Sequence, residues 1–211
     1  MGQKVHPIGF RIGQGENWRS FWFAGKKHYA KNLVEDWRIR HFLFEKLKLA
    51  GIVGVDIERL IHKMKITIHV SRPGMVIGRG GAGLEELKKL LLSQISLPEA
   101  EKNVQIEIAE VSNPELSATL VAQRIAGDLE RRLSHRRVVK KAIERVMGAG
   151  ALGVRVLLSG RIAGAEIARR EKFSEGKLPL STIRANIDFA KVSALTKSGF
   201  VGVKVWISKG E

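Results

Sequence analysis

Hydrophobic positions along the chain change period several times, and the changes divide it into elements. From Leu33 to Ala50, Leu33, Trp37, Phe44, Leu47 and Leu49 recur at helical spacing among Glu35, Asp36, Lys46 and Lys48, with Gly51 placed to end the helix. Period two follows. Val53, Val55 and Ile57 alternate, and then Ile66, Ile68 and Val70 oppose Lys65, Thr67 and His69, which predicts two strands. After a glycine-rich stretch, Leu84, Leu87, Leu91 and Ile95 form the stripe of another amphipathic helix. Pro98 interrupts it, and Val104, Ile106 and Ile108 alternate again. The order is helix, strand, strand, short helix, glycine loop, helix, strand.

The chain restarts at Val111-Ser112-Asn113-Pro114, where Asn113 can cap a helix and Pro114 can occupy its first position. Leu120, Val121, Ile125, Leu129 and Leu133 supply one apolar face; Val139, Ile143, Val146 and Met147 supply a second helix, ended by Gly148-Ala149-Gly150. Alternation returns at Val154, Val156 and Leu158, followed by a hairpin-like region from Gly160 to Arg170, then Ile187-Asp188-Phe189 and Val201, Val203, Val205 and Ile207. The expected class is α+β: residues 1–110 as a basic arm plus one domain, and residues 111–211 as a two-layer α/β domain with helices on a small, mostly antiparallel sheet.

Charge sharpens this picture. Lys and Arg number 37 against 21 Asp and Glu, a net +16 with a sequence pI near 10.4. Such an excess points to a polyanion, above all nucleic acid, and the second half carries the larger share of it. Cysteine is absent, so there are no disulfides and no thiolate metal site. His6, His28, His41, His62, His69 and His135 lack ligand spacing, so no metal or other cofactor is expected, and His69 reads as an ordinary residue on the polar face of a strand. No apolar run approaches the ~20 residues needed to span a bilayer, the N-terminus has no signal-type apolar core, and His6 stands where a myristoylation site needs Ser or Thr. A cytosolic protein without membrane contact or homo-oligomerisation is expected.

The densest chemistry lies in Arg72-Pro73-Gly74-Met75-Val76-Ile77-Gly78-Arg79-Gly80-Gly81. Gly78, Gly80 and Gly81 can take positive φ and expose amides at the start of the next helix, where a phosphate is favoured; Arg79 adds a full charge. Gly78, Gly80 and Gly83 also satisfy the G-x-G-x-x-G dinucleotide fingerprint. That motif requires a strand running straight into its first glycine, and Ser71-Arg72-Pro73-Gly74 intervenes. A P-loop would need Gly-Lys-Ser/Thr, which is missing. Gly78-Arg79-Gly80-Gly81 instead suits the G-x-x-G loop of a KH domain, which clamps about four nucleotides. An ordinary turn would need one glycine, not three with an arginine.

Arg131-Arg132, Arg136-Arg137, Lys140-Lys141 and Arg145 form the second constellation. On one continuous helix, Arg132, Arg136 and Lys140 would lie in one row and Arg137, Lys141 and Arg145 in the next. Glu144 is the only acid from Arg131 to Arg145, so the cluster is a candidate polyphosphate surface rather than a mixed solvated face. A third basic group comprises Arg161, Arg169, Arg170, Lys172 and Arg184, for which a solvated hairpin is a fair rival. The first 30 residues, with Lys4, His6, Arg11, Lys26 and Lys27 among aromatics, suit an arm that orders on RNA, or a tail whose aromatics pack on the domain behind it. Ser112, Ser134, Ser159 and Ser181 lack a nucleophile's context, so no enzyme is expected.

Several ordered stretches carry a resemblance. They are Met1 to Arg11, Arg72 to Gly81, Asn113-Pro114-Glu115-Leu116, Leu129-Glu130-Arg131-Arg132, Ser159-Gly160-Arg161, Ala165 to Arg169, Leu178-Pro179-Leu180, Ile183 to Asp188, and Gly202 to Ile207. The chain resembles the bacterial type of the small ribosomal subunit protein 3 family along nearly its whole length. The resemblance implies a type II KH domain followed by a family-specific α/β domain, residence on the head of the small subunit, and binding to small-subunit rRNA. Small ribosomal subunit proteins 10 and 14 are the implied neighbours. It also implies that Arg131, Arg132 and Arg136 line the channel by which mRNA enters, contacting and helping to unwind it. The KH loop, with Arg72, Gly78, Arg79, Gly80 and Gly81, would bind RNA. Lys4, His6, Arg11, Lys26, Lys27, Arg161, Arg169 and Arg184 are candidate rRNA contacts. The chain departs from the family in the connection from Ser93 to Lys102, at Glu171-Lys172-Phe173 and at Asp188-Phe189-Ala190-Lys191. A free KH regulator of mRNA and a nucleotide-dependent oxidoreductase are the rival classes; cosedimentation with ribosomes and a dinucleotide titration separate them.

Overall fold

The computed structural model describes residues 4–14, 16–60, 63–93 and 104–210. Ile95, Pro98, most of the Ser93–Lys102 connection and the first three residues lie outside the described residues. The chain divides into two units: Trp18–Ser112, and the preceding N-terminal segment together with Asn113 onward. The expected division kept residues 1–110 together, whereas here the segment ahead of Trp18 groups with the C-terminal unit. Arg11 ties the described part of this segment to the C-terminal unit. Its guanidinium is buried and donates to the carbonyl oxygens of Pro7 (3.0 Å), Leu180 (3.0 Å), Thr182 (2.8 Å) and Ala185 (2.8 Å).

The KH-type order appears in the unit Trp18–Ser112: β1 (Ser20–Phe21), α1 (Lys26–Lys46), β2 (Ile52–Arg59), β3 (Met64–Val70), α2 (Pro73–Ile77), α3 (Ala82–Leu92) and β4 (Val104–Glu110). The sheet order is β1-β2-β3-β4, with β2 antiparallel to β3 and β3 parallel to β4. Alternation in β3 works as expected: Met64, Ile66, Ile68 and Val70 are buried, and His69 lies on the polar face, paired with Asp56 at 2.9 Å.

Helix α1 is phased differently from the sequence expectation. Its buried residues are Glu35, Asp36, Ile39 and Leu43, whereas Leu33 and Trp37 face outward. The inward acids are tolerated because Arg59 reaches across from β2, contacting Asp36 at 2.8 Å through Nε and Glu35 at 3.0 Å. Trp22 Nε1 donates to the other Asp36 oxygen at 2.8 Å, which completes a satisfied buried network.

The other unit has α4 (Ala118–Glu130), α5 (His135–Gly148), β5 (Gly153–Gly160), β6 (Arg169–Gly176), β7 (Ile187–Thr196) and β8 (Gly199–Ser208). The sheet is antiparallel throughout, in the order β6-β5-β8-β7. Val121, Ile125, Val139, Ile143 and Val146 from the helices pack on Val154, Val156, Leu158, Val203, Val205 and Ile207. Asn113 and Pro114 start only a short 3-10 turn, Pro114–Leu116. Helix α4 begins at Ala118, whose N–H donates to Asp188 Oδ2 of β7 at 3.0 Å, so a strand residue satisfies the helix start.

Candidate nucleic-acid interface

Strand β3 ends at Val70, and the chain turns at once: Ser71 N–H donates to Gly51 O and Arg72 N–H to Ala50 O. Pro73 starts α2, where a missing N–H costs nothing. Gly78 closes that helix at φ +70°, ψ −177°, a region open essentially to glycine. Gly80 and Gly81 follow at φ +62° and +82°, and a Cβ on either would meet nothing within 4 Å. Gly83 serves packing instead. A Cβ there would stand 2.8 Å from Val76 O, so its lack of a side chain lets α3 abut α2. The loop therefore presents bare backbone outward. Arg72 and Arg79 are exposed, and their side chains make no hydrogen bond or ion pair among the described residues. The dinucleotide reading fails on geometry, because helix α2, not a strand, runs into the first glycine.

The arginine cluster does not sit on one helix. Helix α4 stops at Glu130 and α5 starts at His135, so the expected row Arg132–Arg136–Lys140 loses its first member. Arg132 instead takes φ +62°. Its N–H donates to Leu129 O at 2.9 Å and Leu133 N–H to Asp128 O at 3.1 Å, the paired bonds of a Schellman turn whose left-handed position is usually glycine. An arginine there costs about 1 kcal/mol of strain, and the fold retains a charge where backbone chemistry prefers none.

Two side-chain bonds brace this turn. Glu130 Oε1 accepts from Leu195 N–H at 3.1 Å, and Glu171 Oε2 accepts from His135 Nε2 at 3.0 Å. Arg136, Arg137, Lys140, Lys141 and Arg145 remain on α5, all exposed. None of them, nor Arg131 or Arg132, has an acidic partner among the described residues. The first turn of α5 holds no acid and Ser134 makes no side-chain cap, so cations gather at the positive end of the helix. That is unfavourable for the isolated protein and favourable once an anion arrives.

The remaining candidates separate. Arg11 has its donors engaged by backbone carbonyls inside the fold, which gives it a structural role. His6 lies edge-on to Phe189 at 5.0 Å, and Lys4 is exposed. Lys26 and Lys27 open α1 rather than ending an irregular arm, again with no acid in the first turn. Arg169 is held by Glu171 at 2.9 Å, and Arg161 donates to Ala165 O at 2.9 Å; Arg184 is exposed. The Asp36–Arg59 network escaped the sequence reading. Its only signal was a pair of acids on a helix otherwise rich in base.

A KH fold with a bare glycine loop, followed by a two-layer unit carrying unneutralised arginines, defines a class: a KH-containing RNA-binding protein. Family comparison supports it. The KH domain profile matches residues 38–116, and the profile of the ribosomal protein S3 C-terminal domain matches residues 125–207. Small ribosomal subunit protein uS3 of Persephonella marina is 53% identical over all 211 residues and 91% of its own length. The proteins of that name from Clostridium perfringens and Chlamydia trachomatis are each 50% identical over the whole chain and 93% and 92% of their lengths. The chain belongs to the family of small ribosomal subunit protein uS3, whose members are structural RNA-binding proteins and not enzymes.

Proposed function

We propose that this protein, a constituent of the small ribosomal subunit in the cytoplasm, is fixed to rRNA and presents the α4–α5 turn to incoming mRNA. The observation that carries this reading is the set of cations from Arg131 to Arg145 without an acidic partner among the described residues. Arg131, Arg132 and Arg136 hold single-stranded phosphates at the channel entrance, which disfavours re-pairing of a strand as it is drawn inward. The glycine loop with Arg72 and Arg79 is a second backbone clamp for RNA. The outward Tyr29, Leu33 and Trp37 of α1 support protein neighbours on that unit, and small ribosomal subunit proteins 10 and 14 are the expected ones.

A variant with Arg131, Arg132 and Arg136 all changed to alanine tests the turn. Reconstituted subunits carrying it assemble normally, translate unstructured messages at the parental rate and slow on messages with a stable hairpin. Equal slowing on both kinds of message refutes the assignment.

A further inference from the structure

We propose that the sheet face of the C-terminal unit turned away from its helices is a separate seat for rRNA, built from a lysine row that no single stretch of sequence contains. Strand register assembles the row: Lys172 of β6 pairs with Leu157 of β5, Leu157 with Lys204 of β8, and Lys204 with Lys191 of β7. Three of the four positions across the sheet are thus lysines, spanning about 15 Å at the usual strand spacing.

Parity within each strand shows which face this is. Glu171, one residue from Lys172, bonds to His135 of α5, and Val203 and Val205, flanking Lys204, belong to the core under the helices. Lys172, Lys204 and Lys191 therefore point the other way. The adjacent row is Arg170, Ser159, Gly202 and Ser193, small residues that leave the surface flat beside one more cation. On the other side, Trp206 lies in register with Arg155 and Phe189. The Nε of Arg155 is buried without an acceptor among the described residues.

No acidic residue occupies these rows, because Glu171, Glu175 and Asp188 have the opposite parity. None of Arg170, Lys172, Lys191 and Lys204 forms an ion pair among the described residues. A solvated sheet face mixes charges, whereas one of a single sign, flat and edged by aromatic rings, fits a sugar-phosphate backbone. Folded rRNA is the occupant, because three lysines set at a fixed spacing by strand register match a fixed backbone. The mobile strand is served by the turn between α4 and α5. The inference rests on the ribosomal reading and adds a second, independent RNA surface.

The test is salt-dependent binding of the full-length protein to two probes, a small-subunit rRNA transcript and a short oligouridylate. Changing Lys172, Lys191 and Lys204 together to glutamine is expected to lower the slope of log affinity against log salt for the transcript by about 2 to 3, while oligouridylate binding is unchanged. The matching lysine-to-arginine variant retains the parental slope, which separates lost charge from lost fold. The alanine triple variant at Arg131, Arg132 and Arg136 shows the reverse preference, so the two surfaces fail independently. An unchanged transcript slope in the glutamine variant overturns the proposal. So does a loss confined to oligouridylate, which makes the face a single-strand site.

Discussion

Glu171 of β6 accepts a hydrogen bond from His135, the first residue of α5, at 3.0 Å, and its other oxygen accepts from Arg169 at 2.9 Å. One carboxylate thus ties the edge strand to the base of the arginine-bearing helix. Removing its charge with Glu171→Gln weakens both contacts in a mostly buried setting, a loss of about 1–2 kcal/mol. Chemical denaturation checks the magnitude. Because Arg169 is released rather than removed, RNA affinity measured alongside stays level or rises.

Arg132→Gly separates backbone from charge. Glycine accepts φ +62° without penalty, so stability holds or gains up to about 1 kcal/mol. If the arginine is there for its charge, hairpin-bearing messages nevertheless translate more slowly. A thermal scan and a translation assay on the same preparation report both halves.

At the KH loop two glycines respond differently. Gly80→Asp meets open space and costs only the strain of a left-handed aspartate, about 1 kcal/mol, while placing a negative charge where phosphate is expected. Crosslinking of RNA at the loop should fall with the fold intact. Gly83→Ala drives a methyl to 2.8 Å from Val76 O and forces α3 away from α2. Its effect is on stability, about 1–3 kcal/mol, measured by denaturation.

Asp36→Ala leaves Arg59 buried with Glu35 as its remaining acidic partner and deprives Trp22 of its acceptor. A loss of about 3–5 kcal/mol is expected in the KH unit. Tryptophan fluorescence during denaturation reads it, and a change below about 1 kcal/mol contradicts the proposed weight of the network.

Arg11→Met removes donors from carbonyls of Pro7, Leu180, Thr182 and Ala185 without adding bulk. The N-terminal segment detaches from the C-terminal unit, and limited proteolysis near Asn17 accelerates. Unchanged proteolysis would mean that other contacts hold the segment.

Much of the fold was legible because its causes are local. Period-two alternation in β3, β5 and β8 and glycine punctuation around Gly78 and Gly148 act through neighbours along the chain, and so they survive as pattern. Helix α1 was misphased for the opposite reason. Glu35 and Asp36 face inward only because Arg59, on another element, neutralises them. The structural role of Arg11 was not legible for the same cause: most of its acceptors lie about 170 residues away.

By itself the sequence determined the charge excess, the order of most elements though not the strands Ser20–Phe21 and Arg169–Gly176, the glycine loop and membership of an RNA-binding class, since each depends on composition or short spacing. Tertiary structure alone decided which charges are spent internally and which remain outward. A side chain's availability depends on partners that only folding brings within hydrogen-bonding reach. The lysine row across β6, β8 and β7 is the clearest case: Lys172, Lys191 and Lys204 are ordinary surface residues along the chain, and strand register makes them a surface.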